Sequence, residues 1–229
     1  MTTAPRRSPL VSATFSLLWT GFEAALLAAG IGGFERLVRD PRALVLLALF
    51  AASGLLLSIR RPTRSRDLAE KRPDPLLMVA LFVAPLLMPA VAAFGPSRAL
   101  FTLPYANTVS WCGVALVALG LFVRVSAMFQ LGPRFSPLVS VQREHALETR
   151  GLYAFVRHPG YLGAQLAALG CALSFGSALA LPLVAVMFAA QLARIRAEER
   201  LMAERFGDAW REYAARTGGL WPRLGARRD

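Results

Sequence analysis

Acidic side chains are scarce in this sequence: 14 aspartates and glutamates face 26 lysines and arginines, leaving a formal net charge of +12. Cysteine and histidine are scarcer still, with two of each. Cys112 and Cys171 both fall inside apolar blocks, with neither paired nor metal-type spacing, so each reads as a small core hydrophobe. His145 and His158 have no accompanying ligand cluster, which leaves metal catalysis unsupported. A strand–glycine-loop–helix unit is also missing. Gly30-Ile-Gly-Gly33 follows no strand and reads as helix packing or a helix end, and a soluble Rossmann-type domain is disfavoured. The positive charge does not point to nucleic acid, because no basic, aromatic-interleaved soluble domain carries it.

What the chain does have is long apolar blocks. Hydrophobic residues make up 55% of it, and the mean hydropathy is +0.47. The run from Ala43 to Ile59 is uncharged and bounded by Arg42 and Arg60. Since ~20 apolar residues cross the hydrocarbon core, such a run is a transmembrane candidate. Comparable blocks cover about Ala13–Phe34, containing Glu23, then Leu76–Gly95 with Pro85 and Pro89, and Thr108–Phe129 with Arg124 near one end. The first block follows a short arginine-bearing terminus without a small-residue cleavage site, and is read as a retained helix. Gly160–Ile195 is too long for one span. It is expected to turn at Phe175-Gly-Ser177, with Pro182 early in the second arm, followed by a polar helix and tail over Arg196–Asp229.

These blocks imply an all-α protein, a polytopic transmembrane helical bundle of about six spans. The last two spans form a short helical hairpin, and a C-terminal helix and tail follow. Six spans put both termini on one side, together with the Arg60–Arg72 loop, the Gln130–Pro159 segment and the arginine-rich tail. Positive-inside bias makes that side cytoplasmic. Arg36, Arg39 and Arg42 are the exception, partly balanced by Glu35 and Asp40. Glu23 and Arg124 are charges in or near the membrane, which tend to be functional or paired; helix pairing and snorkelling are their ordinary roles.

Only the last third carries a dense polar cluster: His145-Ala-Leu-Glu148, Gly151-Leu-Tyr153, Arg157-His-Pro-Gly-Tyr161, then Arg194-Ile-Arg-Ala-Glu-Glu199 and Phe206-Gly-Asp-Ala-Trp-Arg-Glu-Tyr213. Pro159 suits the first turn of a helix, whose N-terminus favours an anion. Arg157 and His158 just before it can hold a carboxylate or phosphate. Across the hairpin, Glu198 and Glu199 return to the same side, where a carboxylate can pair an ammonium or accept ribose hydroxyls. A zwitterionic, nucleoside-bearing ligand suits both ends. The plainer reading makes these residues interfacial anchors, with Glu199 a solvated partner of Arg196 or Arg200.

In this order the motifs resemble the membrane-embedded isoprenylcysteine carboxyl methyltransferases and, more distantly, the phospholipid N-methyltransferases, over roughly Leu119 to Arg223. The resemblance implies S-adenosylmethionine as methyl donor. His145, Ala146 and Leu147 would line its pocket, and Tyr153, the turn His158, Pro159, Gly160 and Tyr161, and Glu198 would contact it. Arg194 matches a position on the substrate side and is the catalytic candidate. Glu148 departs from the usual apolar residue, and the Thr217–Arg223 ending is looser than the family's. The chain then divides into N-terminal transmembrane helices, 1–106, and a membrane methyltransferase core, 107–229. The expected activity is methyl transfer to a lipophilic or small acceptor reached from the lipid bilayer. An isoprenylated cysteine, a phospholipid amine, a small thiol and a quinone-like lipophile all stay open. Membrane sterol reductases, which use NADPH, share Arg-His-Pro-x-Tyr and the aromatic tail motif; a non-catalytic binding or transport protein is the other alternative.

Overall fold

The structure, a computed structural model, describes residues 9–58, 75–104, 106–132 and 147–223. The Arg60–Arg72 loop, His145 and Ala146 therefore lie outside the described residues. Four long helices carry the apolar blocks: α1 (Pro9–Ile31), α3 (Pro41–Ser58), α4 (Pro75–Ser97) and α5 (Ala106–Leu131), with a six-residue α2 (Phe34–Arg39) between the first two. All four are long and apolar enough to cross a membrane. Their outward side chains agree. Phe15, Leu17, Phe82 and Phe122 are each more than half exposed, which suits hydrocarbon surroundings and would be anomalous in water.

Glycine sets the first boundary. Gly32 and Gly33 adopt φ of +97° and +126°, a region that side-chain-bearing residues avoid, so α1 ends there rather than running on to Phe34. Gly30 acts differently, lying so close to the Ala90 carbonyl of α4 that any Cβ would collide with it. Pro85, Pro89 and Pro96 lie within α4, which continues through them. Membrane helices tolerate this where neighbouring groups re-satisfy the freed carbonyls.

The expected hairpin is present as α6 (Pro159–Ser174) and α7 (Leu181–Phe206), reversing through Phe175–Ala180 with Pro182 in the first turn of α7. The second arm differs from its expected extent. No break occurs near Ile195, and the charged stretch through Arg205 belongs to the same helix. Gly207, at φ +53°, then separates α7 from the short α8 (Asp208–Arg216). The apolar count drops after Ile195, but Ala, Glu, Arg, Leu and Met are all good helix formers, so nothing local ends the helix there.

The closest packing joins α5 to α6 through small residues. Gly113 and Gly120 on one helix meet Gly170 and Gly163 on the other, each pair seven residues apart and hence on one face. A Cβ at any of the four would stand under 3.0 Å from the partner's backbone. Membrane helices gain little from apolar burial against lipid, so backbone approach of this kind is what holds them together. Ahead of them, α1 packs on α3 and on α4; α3 in turn reaches α5, and α4 reaches α6 and α7. The shared core includes Leu27, Leu46, Met88, Val117 and Met187. Cys171 is buried, as expected; Cys112 is not, and sits exposed on the outer face of α5 rather than in the core.

At the end of the bundle holding the α6–α7 turn, Leu103 N–H donates to the Gly176 carbonyl and Ala178 N–H to that of Phe101, both at 2.8 Å. Ser97 Oγ donates to the Gly30 carbonyl at 3.0 Å. Three connections are stitched together there, leaving the opposite end to the polar cluster.

The glycine seam gives a direct test. Gly163→Leu is expected to lower stability by about 3 kcal/mol or to prevent assembly, as overpacking does. Gly21→Leu, where a Cβ meets nothing within 4 Å, should stay within about 0.5 kcal/mol of the parent. Thermal unfolding in detergent measures both, and equal melting of the two variants would remove the seam from the fold.

Candidate functional site: a charged cavity at the start of the last hairpin

The polar cluster is assembled around the chain entering α6. Gly151, at φ +53°, opens a 3₁₀ turn over Gly151–Ala154. The side chain of Gln130, at the end of α5, clasps this turn, donating to the Arg150 carbonyl and accepting from Leu152 N–H. Tyr153 is buried, with its hydroxyl toward the Ala127 carbonyl at 3.4 Å. The next residues are extended and pair with the C-terminal tail: Arg157 N–H donates to the Gly218 carbonyl at 2.8 Å and His158 N–H to that of Gly219 at 3.1 Å. His158 caps α6, and Pro159 takes its first position.

Two carboxylates from adjacent positions on α7 divide the cluster. Glu199 faces the tail side. Arg157 Nε donates to its Oε1 at 2.8 Å, and His158 Nε2 lies 3.1 Å from the same oxygen. Arg157 also donates to the Ala214 carbonyl at 3.1 Å and to that of Thr217, and its guanidinium lies 5.9 Å from the Trp210 ring centre. The hydrogen bond from His158, then those of Arg157, hold the Glu199 carboxyl below its ordinary value against the opposing effect of burial. Both bases preceding α6 are therefore engaged by Glu199 and by carbonyls of the tail. Burial raises the Tyr213 hydroxyl to about 12, which keeps it a donor, and it binds the Tyr153 carbonyl at 2.7 Å.

Glu198 faces inward. Tyr161 donates to its Oε1 at 2.6 Å and Arg194 Nε at 3.0 Å. His158 Nδ1 is 3.9 Å from Oε2, so the imidazole stands between the two glutamates. Arg194 also donates to the Tyr161 hydroxyl and is only 4% exposed. Met187, Gln191, Arg194 and Glu198 follow a four–three–four spacing, which puts them on one face of α7. They line a cavity of about 610 Å³ that also takes in Trp19 and Glu23 of α1, Phe50 of α3, Met88 of α4 and Arg124 of α5.

Of the residues singled out in the sequence, Leu147, Tyr153, His158, Gly160, Tyr161, Arg194 and Glu198 all border this cavity. Pro159 does not; it is fully buried, and it shapes the helix start instead. Sequence reasoning passed over Gln191, which is 2% exposed and whose amide oxygen has no partner among the described residues. The signal was available in the helical spacing to Arg194 and Glu198. It also passed over Trp210 and Tyr213 as cavity-lining groups.

Residues 108–209 match the family described as phospholipid methyltransferase. Over 105 residues the chain is 40% identical to the protein-S-isoprenylcysteine O-methyltransferase of Schizosaccharomyces pombe, with 44% of each chain covered. Over 109 residues it is 36% identical to the enzyme of that name from Saccharomyces cerevisiae, with 46% of each covered. The match thus spans under half the length of these relatives. Among solved structures, a eukaryotic intramembrane Ras methyltransferase, an isoprenylcysteine carboxyl methyltransferase, superposes with a TM-score of 0.56. That superposition covers 95% of this chain and 77% of the other at 20% identity, which shows a shared helical membrane fold. The resemblance carried by the ordered motifs is therefore present in a family model and in curated relatives, and the fold it implied is met by a solved structure.

Because the Glu199 carboxyl is held below 4.5 in the folded chain, its contribution is complete above that value and is lost as pH falls through the lowered one. Acidification from about pH 6 to about pH 3 should lower the thermal midpoint of the parent more than that of Glu199→Gln. Identical pH profiles for the two proteins would show that this carboxylate does not anchor the tail.

Proposed function

We propose that this chain transfers the methyl group of S-adenosylmethionine to a lipophilic or small, membrane-accessible acceptor. One observation supports this reading above the rest: a single cavity has His158, Tyr161, Arg194 and Glu198 at one end and apolar walls from α1, α3, α4 and α5 at the other. A charged donor and a lipid-like acceptor need such a pair of environments in contact.

The residues present fit the donor. About 610 Å³ falls within the roughly 300–1,000 Å³ of small-molecule sites. Glu198, already a hydrogen-bond acceptor from Tyr161 and Arg194, offers negative charge to an ammonium or an acceptor to ribose hydroxyls. Leu147, Leu201, Met202 and Trp210 offer an apolar wall for a purine. The amide oxygen of Gln191, without a partner among the described residues, asks for a ligand carrying hydrogen-bond donors. His145 and Ala146 complete the donor pocket by the family resemblance. When bound, the sulfonium supplies a methyl group that is already activated, so the reaction requires no covalent enzyme intermediate.

The chain's own contribution is alignment and exclusion of water. His158, placed between Glu198 and Glu199, orients Glu199 by its hydrogen bond, while Tyr161 and Arg194 orient Glu198. Tyr161 and Glu198 hold Arg194 where the polar end gives way to Gln191 and Met187. An arginine there would steady an anionic acceptor against the donor, which makes Arg194 the catalytic residue of this reading. Residues 107–229 serve donor binding and 1–106 wall the acceptor. The tail, the N-terminus and the Arg60–Arg72 loop face the cytoplasm, in keeping with their positive charge.

Purified protein in detergent or nanodiscs is expected to bind S-adenosylmethionine saturably and to ignore NADPH. His158→Ala and Glu198→Gln should each weaken binding by about tenfold or more, the effect of removing a charge-assisted contact. No saturable binding, or NADPH binding in its place, would falsify the methyltransferase reading.

A further inference from the structure

The charges around the cavity do not balance in pairs. Glu199 is taken by Arg157 and His158, Glu23 is bound by Trp19 of its own helix, and Glu198 accepts from Arg194 and Tyr161 through Oε1, which leaves Oε2 for a ligand. Arg124 has no carboxylate within 4.0 Å among the described residues; its one hydrogen bond runs from NH1 to the Gly160 carbonyl at 3.2 Å. A guanidinium carries five donors in a planar fork matched to a carboxylate. One carbonyl leaves most of that capacity unused.

Arg124 stands inside α5 rather than at its end. It lies seven residues before the end of α5 at Leu131, about 10 Å down the helix, where a charge is expensive unless something answers it. It is half-buried and borders the cavity beside Gly160, Tyr161 and Arg194. The helix seam fixes it there, because a Cβ at Gly163 would strike the Arg124 backbone. Gly160 itself leaves open space, with nothing within 4 Å of where its Cβ would stand. Gln191, 2% exposed and unpartnered at its amide oxygen, borders the same cavity. An unanswered cation, an unanswered hydrogen-bond acceptor and a carboxylate line one space. This is the complement of an amino-acid group carrying both a carboxylate and an ammonium.

We propose that Arg124 binds the carboxylate of the donor's amino-acid group, with Glu198 and Gln191 receiving its ammonium. This assignment rests on the methyl-donor reading above. It reverses the expectation that Arg157 and His158 hold the ligand's anion, since the tail and Glu199 already occupy them. The guanidinium sits below the start of α6, whose N-terminal dipole adds to its pull on a negative group. A neutral residue at 124 therefore removes recognition of the carboxylate and leaves recognition of the nucleoside intact.

Calorimetric titration of the purified full chain with three probes tests this: S-adenosylmethionine, decarboxylated S-adenosylmethionine and 5′-methylthioadenosine. The parent should prefer the first over the second by about tenfold or more, as expected for a buried charge-assisted pair. Arg124→Gln should erase that preference while 5′-methylthioadenosine binds within about twofold of the parent, which also shows the variant is folded. Arg124→Lys, keeping the charge, should retain part of the preference. If the parent binds S-adenosylmethionine but does not distinguish it from the decarboxylated form, or if Arg124→Gln keeps the distinction, the assignment is wrong and the donor reading survives. Should Arg124→Gln fail to fold, a reduced preference in an Arg124→Lys that still binds 5′-methylthioadenosine like the parent sustains the assignment, and a preference equal to the parent's overturns it. No binding by the parent at all removes both the assignment and the reading beneath it.

Discussion

The carboxylate of Glu199 joins three stretches of chain that are far apart in sequence. It belongs to α7, accepts from Arg157 and His158 before α6, and through Arg157 is tied to the carbonyls of Ala214 and Thr217 beyond α8. Two arms of a hairpin and the tail that crosses its mouth are closed by one anion. The geometry of Glu198, its neighbour, follows from this. With Glu199 held toward the tail, Glu198, about 100° away around the helix, is turned into the cavity. His158 bonds Glu199 at 3.1 Å and stands 3.9 Å from Glu198, so the inner and outer halves of the cluster meet at one imidazole.

That division of labour was only partly legible in the sequence. The apolar blocks announced the long helices, and Gly176 with Pro182 announced the reversal between α6 and α7, because both act through local backbone geometry. Pro159 announced the start of α6 for the same reason. The pairing of Glu199 with Arg157 and His158 had no local mark. Arg196 and Arg200 are its neighbours along the helix, and only tertiary structure shows that a base 42 residues earlier takes their place. The continuity of α7 was hidden too, since hydropathy falls near Arg194 although helix propensity does not. Cys112 illustrates a limit of composition in lipid: an apolar residue in an apolar block can face outward as readily as inward.

The N-terminal helices matter to the cavity more than the extent of the sequence match suggests. The curated relatives align over the last part of the chain, yet Trp19, Glu23, Phe50 and Met88 all border the same space. Trp19 Nε1 donates to Glu23 at 2.9 Å, so even the acidic residue in α1 is held in place from its own helix. The fold likeness to the intramembrane Ras methyltransferase covers 95% of the chain, and these helices lie within it. Family resemblance thus concentrates where the charged cluster is, while the wall facing it is built from residues with no motif.

The glycine contact between α5 and α6 also limits where the bundle can breathe. Backbone lies against backbone along two helical turns, with no side chains between to swing aside, so these helices cannot part without losing the whole contact at once. The same kind of backbone approach recurs in the N-terminal helices, where Gly30 lies against the Ala90 carbonyl. The α5–α6 seam ties α5 and the last hairpin into one frame, on which the charged cluster is mounted.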